Sequence, residues 1–298
     1  MNINGVEIVQ TFAEAFKMTA ARILITALNE RWAMQAAQTM TGFATSVIGC
    51  GVEAGIGRRV DPADTPDGRP GVTVLLFAMS EKDLCKQLEN RLGQCVLTCP
   101  TTAVFSDLSS EKTIPLGKNL RYFGDGYQIS KKFGDRRYWR VPVMDGEFVC
   151  EETTSRISAV GGGNFLVLAD TQQQALSACE AAVDVMQEIP DIILPFPGGI
   201  VRSGSKVGSK YKALMASTND AYCPTLRGLV KSELGADIGA VMEIVIDGLT
   251  DADVSLAMKR GIEKVCEVGG GNGVRRITAG NYGGKLGQFH FHLHEVLA

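Results

Sequence analysis

The sequence predicts an α+β fold made of two related lobes in tandem, and three observations carry that expectation. First, the halves repeat each other. Ile23-Leu24-Ile25-Thr26-Ala27 matches Phe165-Leu166-Val167-Leu168-Ala169 at an offset of 142 (165 − 23), and Leu76-Phe77-Ala78-Met79-Ser80 resembles Leu214-Met215-Ala216-Ser217-Thr218 at 138 (214 − 76). Second, each half alternates short apolar strands with amphipathic helices in the order of a split β-α-β unit, the arrangement of a ferredoxin-like sandwich. Third, the charged and aromatic stretch 118–152 breaks that alternation and marks inserted loops or a domain edge. The expected division is an N-terminal ferredoxin-like lobe over 1–150, irregular at 104–150, and a C-terminal ferredoxin-like lobe over 151–298.

In the first half, Ile3, Val6 and Ile8 alternate, and the chain is expected to turn helical over 11–16. Residues 22–28 are rich in β-formers and predict a strand. Over 29–40, Trp32, Ala36, Ala37 and Met40 recur at helical spacing, with Asn29 as N-cap. A second strand is expected at 43–48, a turn-rich loop at 61–71 and an apolar strand at 72–79. Ser80 then caps a helix to about 92, with Asp83 at the third position. Residues 123–127 form a turn, and 138–143 a hairpin strand.

The second half starts over with a strand at 164–170 and a helix at 171–188 that carries Ala175, Ala178, Cys179, Ala182, Val185 and Met186. Strands are expected at 192–194, 211–217, 242–246, 275–279 and 288–293, with a helix at 251–268. The Cys-Pro-Thr triplet at Cys99 recurs at Cys223, but at a different place in the repeat, and reads as coincidence.

Composition narrows the function. The 298 residues carry a net charge of −3, with 30 basic and 33 acidic side chains scattered along the chain. No basic stripe marks a nucleic-acid partner. No apolar run approaches a membrane span, and residues 1–7 lack a signal-peptide pattern, so a cytoplasmic location is expected. Eight cysteines are too sparse for a disulfide scaffold, and the Cys95-x3-Cys99 pair has no second pair to complete a zinc site, so buried reduced thiols are expected.

The stretch 196–210 holds the most chemistry. Its glycines permit positive φ and close backbone approach, its serines add hydroxyls, and Arg202, Lys206 and Lys210 favour anions. The spacing of a nucleotide P-loop is absent; a mobile surface connection is the competing reading. A second glycine-rich stretch, 278–287, and the turn at 123–127 could join it in lining a shaped cleft. Glu243 is an acid within an otherwise apolar strand, where desolvation would keep its carboxyl neutral and able to donate a hydrogen bond. The alternative places Glu243 on a solvent face with Asp247, which shares its alternation. His290, His292 and His294 alternate along the last strand in a metal-ligand pattern, but no other ligand is evident.

Phe12-Ala13-Glu14-Ala15-Phe16, Pro66-Asp67-Gly68-Arg69-Pro70-Gly71 and the stretches 93–103, 123–127, 196–208 and 278–286, taken in order, resemble the formylmethanofuran:tetrahydromethanopterin formyltransferase family across the whole chain. The resemblance implies transfer of a formyl group from the amine of methanofuran to a ring nitrogen of tetrahydromethanopterin, in methanogenic or methylotrophic one-carbon metabolism. It implies no metal or prosthetic group, the two coenzymes being substrates, and a homotetramer of two-lobed, ferredoxin-like subunits. It assigns the strand acid Glu243 to stabilising the tetrahedral intermediate, and no role to the three histidines. Motif and composition together place Gln94, Phe196, Pro197, Gly198, Gly199, Ser203, Gly204, Ser205, Lys206, Asn281, Tyr282 and Gly283 in the substrate cleft. The competing expectations are a thiol acyltransferase or amidase working through Cys95 or Cys99, and a non-catalytic coenzyme-binding subunit of a larger complex.

Overall fold

A computed structural model describes residues 1–298. In chain order its main elements are β1 (Val6–Ile8), β2 (Phe12–Thr26), α1 (Glu30–Thr41), β3 (Glu53–Val60), β4 (Gly71–Ala78), α2 (Glu81–Arg91) and β5 (Ala103–Ser106). A meander follows, β6 (Ile129–Phe133), β7 (Arg136–Val143) and β8 (Gly146–Glu151). The second half contains β9 (Ile157–Ala169), α3 (Gln172–Met186), β10 (Ile192–Ile193), β11 (Ala240–Gly248), α4 (Asp251–Gly269), β12 (Val274–Thr278) and β13 (Phe289–His292). No helix is long and apolar enough to cross a membrane.

The chain forms two compact units, Met18–Ala159 and Met1–Lys17 with Val160–Ala298. The expected lobes, 1–150 and 151–298, differ at both ends. The opening residues belong with the second half because β1 runs parallel to β12, Arg276 opposite Glu7, and β13 pairs with the start of β2, Phe291 opposite Ala13. Long-range strand pairing of this kind leaves no mark in local periodicity.

In the unit Met18–Ala159 the strands lie in the order β5-β2-β4-β3, all antiparallel, with Ile23 opposite Val74 and Ile25 opposite Val104. β8 extends this sheet parallel to β5, and β7 and β6 follow antiparallel. Alternation along β2 and β4 sends Ile23, Ile25, Val74 and Leu76 to one face, where Ala33, Ala37 and Met40 of α1 and Leu84 and Leu88 of α2 cover them. Asn29 caps α1 and Ser80 caps α2, each accepting a backbone N–H from the first turn as the sequence predicts.

The second unit repeats the plan in the order β12-β9-β11-β10, again antiparallel, with Leu166 between Glu243 and Thr278. Phe165, Val167, Ile244, Ile246 and Ile277 form the core with Ala178 and Ala182 of α3 and Ala257, Met258, Ile262 and Val265 of α4. Small residues let the two helices approach closely. A Cβ on Gly261 would lie 2.4 Å from the Met186 sulfur and 2.9 Å from the Phe165 ring, so only glycine fits.

Four sequence expectations fail. Residues 12–16 are strand, not helix, and Thr11 precedes it without regular structure; the helix-forming Ala and Glu yield to pairing with β13, which buries Ala13 and Ala15 completely. Residues 43–48 are not a strand: Phe43 takes a left-handed φ of 51° and is 79% exposed, and Ser46 caps a short turn of helix, Val47–Cys50. Only Ala216–Ser217 of 211–217 is strand, because its sole partner is the two-residue Lys206–Val207. The second repeat match fails with it. The counterpart of β4 is β11, not 214–218; only the pairing of β2 with β9 holds.

Candidate active site

Glu243 sits in the middle of β11. It exchanges both backbone hydrogen bonds with Val201, at 2.7 and 2.9 Å, on the side away from Leu166. Its neighbours Met242 and Ile244 point into the helix-covered core, so strand alternation sends Glu243 to the opposite face. That face is not open. Leu234 and Ile238 from the connection before β11 pack with Tyr222 against Leu166, Leu168 and Val241. Asp247, next but one along the same face, is fully buried and accepts the Gly162 N–H at 2.9 Å.

The solvent-face reading therefore fails for Asp247, which a distant backbone N–H meets inside the fold. Glu243 itself is half-buried, and no side chain or backbone N–H bonds its carboxyl. Burial pushes its pKa up to about 7, well above the usual carboxyl range, because nothing nearby repays the lost hydration of the anion. Near neutrality about half of such carboxyls retain the proton, so the group can donate a hydrogen bond or give up a proton. Two strands away on the same face, Thr278 bonds the Tyr222 side chain.

The glycine-rich stretch forms the outer edge beside β11. Phe196, Pro197 and Gly198 line a cavity of about 510 Å³ together with Ile200, Arg202, Ser203 and Met242. Gly198 and Gly199 both have positive φ, 63° and 78°, and a Cβ on Gly199 would meet Val183 at 2.9 Å. The cavity lies on the Met242 side of the strand, so the stretch flanks Glu243 through Val201 rather than covering it. Gly204 packs on Asn219, the Ser203 carbonyl accepts from Thr218, and Ser205 is exposed. Lys206 is already neutralised by an ion pair with Asp220, whereas Arg202 and Lys210 are exposed and make no ion pair. Of the three cations in this stretch, Arg202 and Lys210 are thus the two without an ion pair.

Asn281, Tyr282 and Gly283 lie in the loop after β12. Asn281 spends its side chain on Thr11, Phe12 and the Gly283 N–H, and the half-buried Tyr282 ring lies 6.0 Å from Phe16. Gln94 belongs to the other compact unit, exposed on a wide helical turn, Leu92–Val96. That unit has a cavity of about 760 Å³, walled by Leu97, Cys99 and Pro100 after the turn, Phe123, and Pro142 to Asp145 of the β7–β8 hairpin.

The sequence reading missed Glu14, which takes four backbone hydrogen bonds from the 282–287 loop. A lone acid between alanines in Phe-Ala-Glu-Ala-Phe was its only signal. The histidines do not converge. His290 and His292 flank the Phe12 ring at 5.0 and 5.2 Å, while His294 lies in a short helix against the Ile8 carbonyl. No cluster of His, Cys, Asp or Glu could hold a metal ion. Burial raises both the Cys95 and Cys99 thiols, and Cys99 donates to the Trp32 carbonyl at 3.7 Å.

Residues 1–143 match the family model of formylmethanofuran-tetrahydromethanopterin formyltransferase, and residues 146–296 match the model of that family's proximal lobe. The chain belongs to this formyltransferase family. A formyltransferase of Methylococcus capsulatus is 67% identical over 298 residues, covering all of both chains. Among solved structures, the formyltransferase/hydrolase complex from Methylorubrum extorquens, in complex with methylofuran, contains a chain that superposes with a TM-score of 0.97 at 51% identity, covering 100% of this chain and 99% of that one. The formyltransferase from Methanosarcina barkeri gives 0.92 at 50% identity, covering 99% and 100%. The two-lobed α+β fold is thus that of solved formyltransferases.

Proposed function

We propose that this chain transfers a formyl group between the amine of a methanofuran-type coenzyme and a ring nitrogen of a tetrahydromethanopterin-type coenzyme, by direct attack of one on the other. Family membership and full-length relatives named for this reaction support the activity. The observation that carries the mechanism is Glu243, half-buried, without a hydrogen-bond partner, and held protonated up to about pH 7.

The pterin nitrogen attacks the formyl carbon, and the C=O π pair moves onto oxygen as the C–N bond forms. The Glu243 O–H donates to that oxygen where negative charge develops. Collapse restores the carbonyl and breaks the bond to the methanofuran nitrogen, and the proton given up by the attacking pterin nitrogen balances the one the departing nitrogen takes up. Holding both amines together converts a bimolecular step into an intramolecular one. In this reading Phe196, Pro197, Gly198, Gly199, Ser203, Gly204, Ser205, Tyr282 and Gln94 contact the coenzymes, and Arg202 and Lys210 attract their anionic tails. Lys206, Asn281 and Gly283 shape the binding loops instead. Neither a metal nor a prosthetic group takes part.

Each lobe is read as ferredoxin-like, supported by the split β-α-β order β5-β2-β4-β3 and its repeat β12-β9-β11-β10. The reading extends to a homotetramer working in the cytoplasm.

A thiol mechanism has less support, because burial disfavours the thiolate at both Cys95 and Cys99. Cys95→Ala and Cys99→Ala, singly and together, are expected to retain turnover within about threefold; a loss of 10³ or more would replace direct transfer with a formyl-enzyme route. The purified chain, assayed alone with both coenzymes with and without chelator, is expected to exchange formyl in either case. No exchange would point to a binding subunit that needs partners.

A further inference from the structure

We propose that Glu14 is a positioning residue, clamping the 280–287 loop so that it presents the Tyr282 ring to one of the two coenzymes. The inference rests on the formyl-transfer reading above. Glu14 is 1% exposed, on the stretch of β2 that pairs with β13. One carboxylate oxygen accepts the N–H of Tyr282 at 2.6 Å and of Gly284 at 2.8 Å; the other accepts Leu286 and Gly287, both at 2.6 Å. A run of backbone N–H groups curled around one anion is a nest of the kind that usually holds a ligand. Here the protein fills it with its own carboxylate.

The loop is shaped for that clamp. Gly283 and Gly284 both have positive φ, 74° and 70°. At Gly287 the backbone approaches so closely that a Cβ would lie 2.4 Å from the Ala15 carbonyl and 2.7 Å from the Glu14 side chain. Asn164 anchors the start of the loop, accepting the Gly280 N–H at 2.6 Å and donating to its carbonyl at 3.2 Å. Burial alone would raise the Glu14 pKa, but the four N–H donors outweigh it and hold the group at about 2. The clamp is therefore charged at any working pH. With these N–H groups and the Asn281 side chain consumed, the Tyr282 ring beside Phe16 is the one aromatic side chain the loop offers for stacking on a planar coenzyme ring.

Glu14→Gln tests this, because an amide –NH2 would face two N–H donors and break half of the clamp. Amide hydrogen exchange at 282–287 is expected to accelerate at least about tenfold. The Kd of one coenzyme, measured by calorimetry, and its KM are expected to rise about tenfold, with kcat and the other coenzyme's KM within about twofold. Gly284→Ala, which strains the nest but keeps the carboxylate, is expected to give the same split should Glu14→Gln fold poorly. Glu7→Gln, which removes the exposed ion pair with Arg276, serves as the control and leaves all of these unchanged. Faster exchange with both coenzyme affinities intact would reduce Glu14 to a structural role, and unchanged exchange would remove the clamp altogether. If the wild-type chain transfers no formyl group, the functional reading fails, while exchange and calorimetry still decide the clamp.

Discussion

Glu243→Ala is expected to lower kcat by about 10²–10³, with KM for either coenzyme changed by less than about threefold. That is the loss typical of removing one donor to an oxyanion from a preorganised site. The asymmetry follows from when the contact forms. A neutral carboxyl gains little from the formyl oxygen of the ground state and much from the same oxygen once it carries charge. Glu243→Gln separates donation from proton transfer: its N–H can donate but cannot be surrendered, so partial activity is expected.

The pH profile supplies an independent readout. With the native carboxyl titrating at about 7, kcat is expected to fall as pH rises through that value, and the falling limb is expected to vanish in Glu243→Gln. The same shift has a stability consequence with a definite sign. Between the ordinary 4.5 and about 7, the native state binds more protons at this group than the unfolded chain, so its contribution to stability falls as pH rises across that window. Steady-state rates of both variants from pH 5 to 9 check the proposal; unchanged kcat in Glu243→Ala would remove the residue from the mechanism.

Phe165→Ala is expected to cost about 3–5 kcal/mol in chemical denaturation, the range for deleting a fully buried aromatic ring. The ring is 0% exposed in the middle of β9, and it lies against the Gly261 backbone where α3 and α4 approach each other. A glycine backbone offers no side chain that could swing into the vacated space, so the cavity would stay largely open. The backbone of β9 also carries Leu166, the neighbour of Glu243, so loss of activity is expected to accompany loss of stability. A change below about 1 kcal/mol would mean the core collapses around the hole.

Much of this was legible in the residues. Asn29 and Ser80 announced helix starts because capping chemistry is local. The helices over 172–186 and 251–269 showed in their spaced alanines and apolar residues. Glu243 stood out as an acid in an otherwise apolar strand, although alternation also allowed it a solvent face shared with Asp247. What stayed hidden depended on distant segments meeting. Asp247 looked like a surface acid until the Gly162 N–H met it inside the fold, and Lys206 looked like a free cation until Asp220 reached it. Glu14 looked like a helix former, yet its partners lie some 270 residues away. Periodicity carries no information about such partners, so it could place the acids but not their environments.

The swap of the first seventeen residues into the second unit bears on any attempt to dissect the protein. Cutting the gene at residue 160 would yield a fragment of the apparent right length that lacks two of its own strands. The outer rims of β12 and β13 would then be bare, each a row of unsatisfied amides inviting intermolecular pairing. Such a fragment would precipitate unless the missing peptide were stitched back on, for instance ahead of Val160 through a flexible spacer.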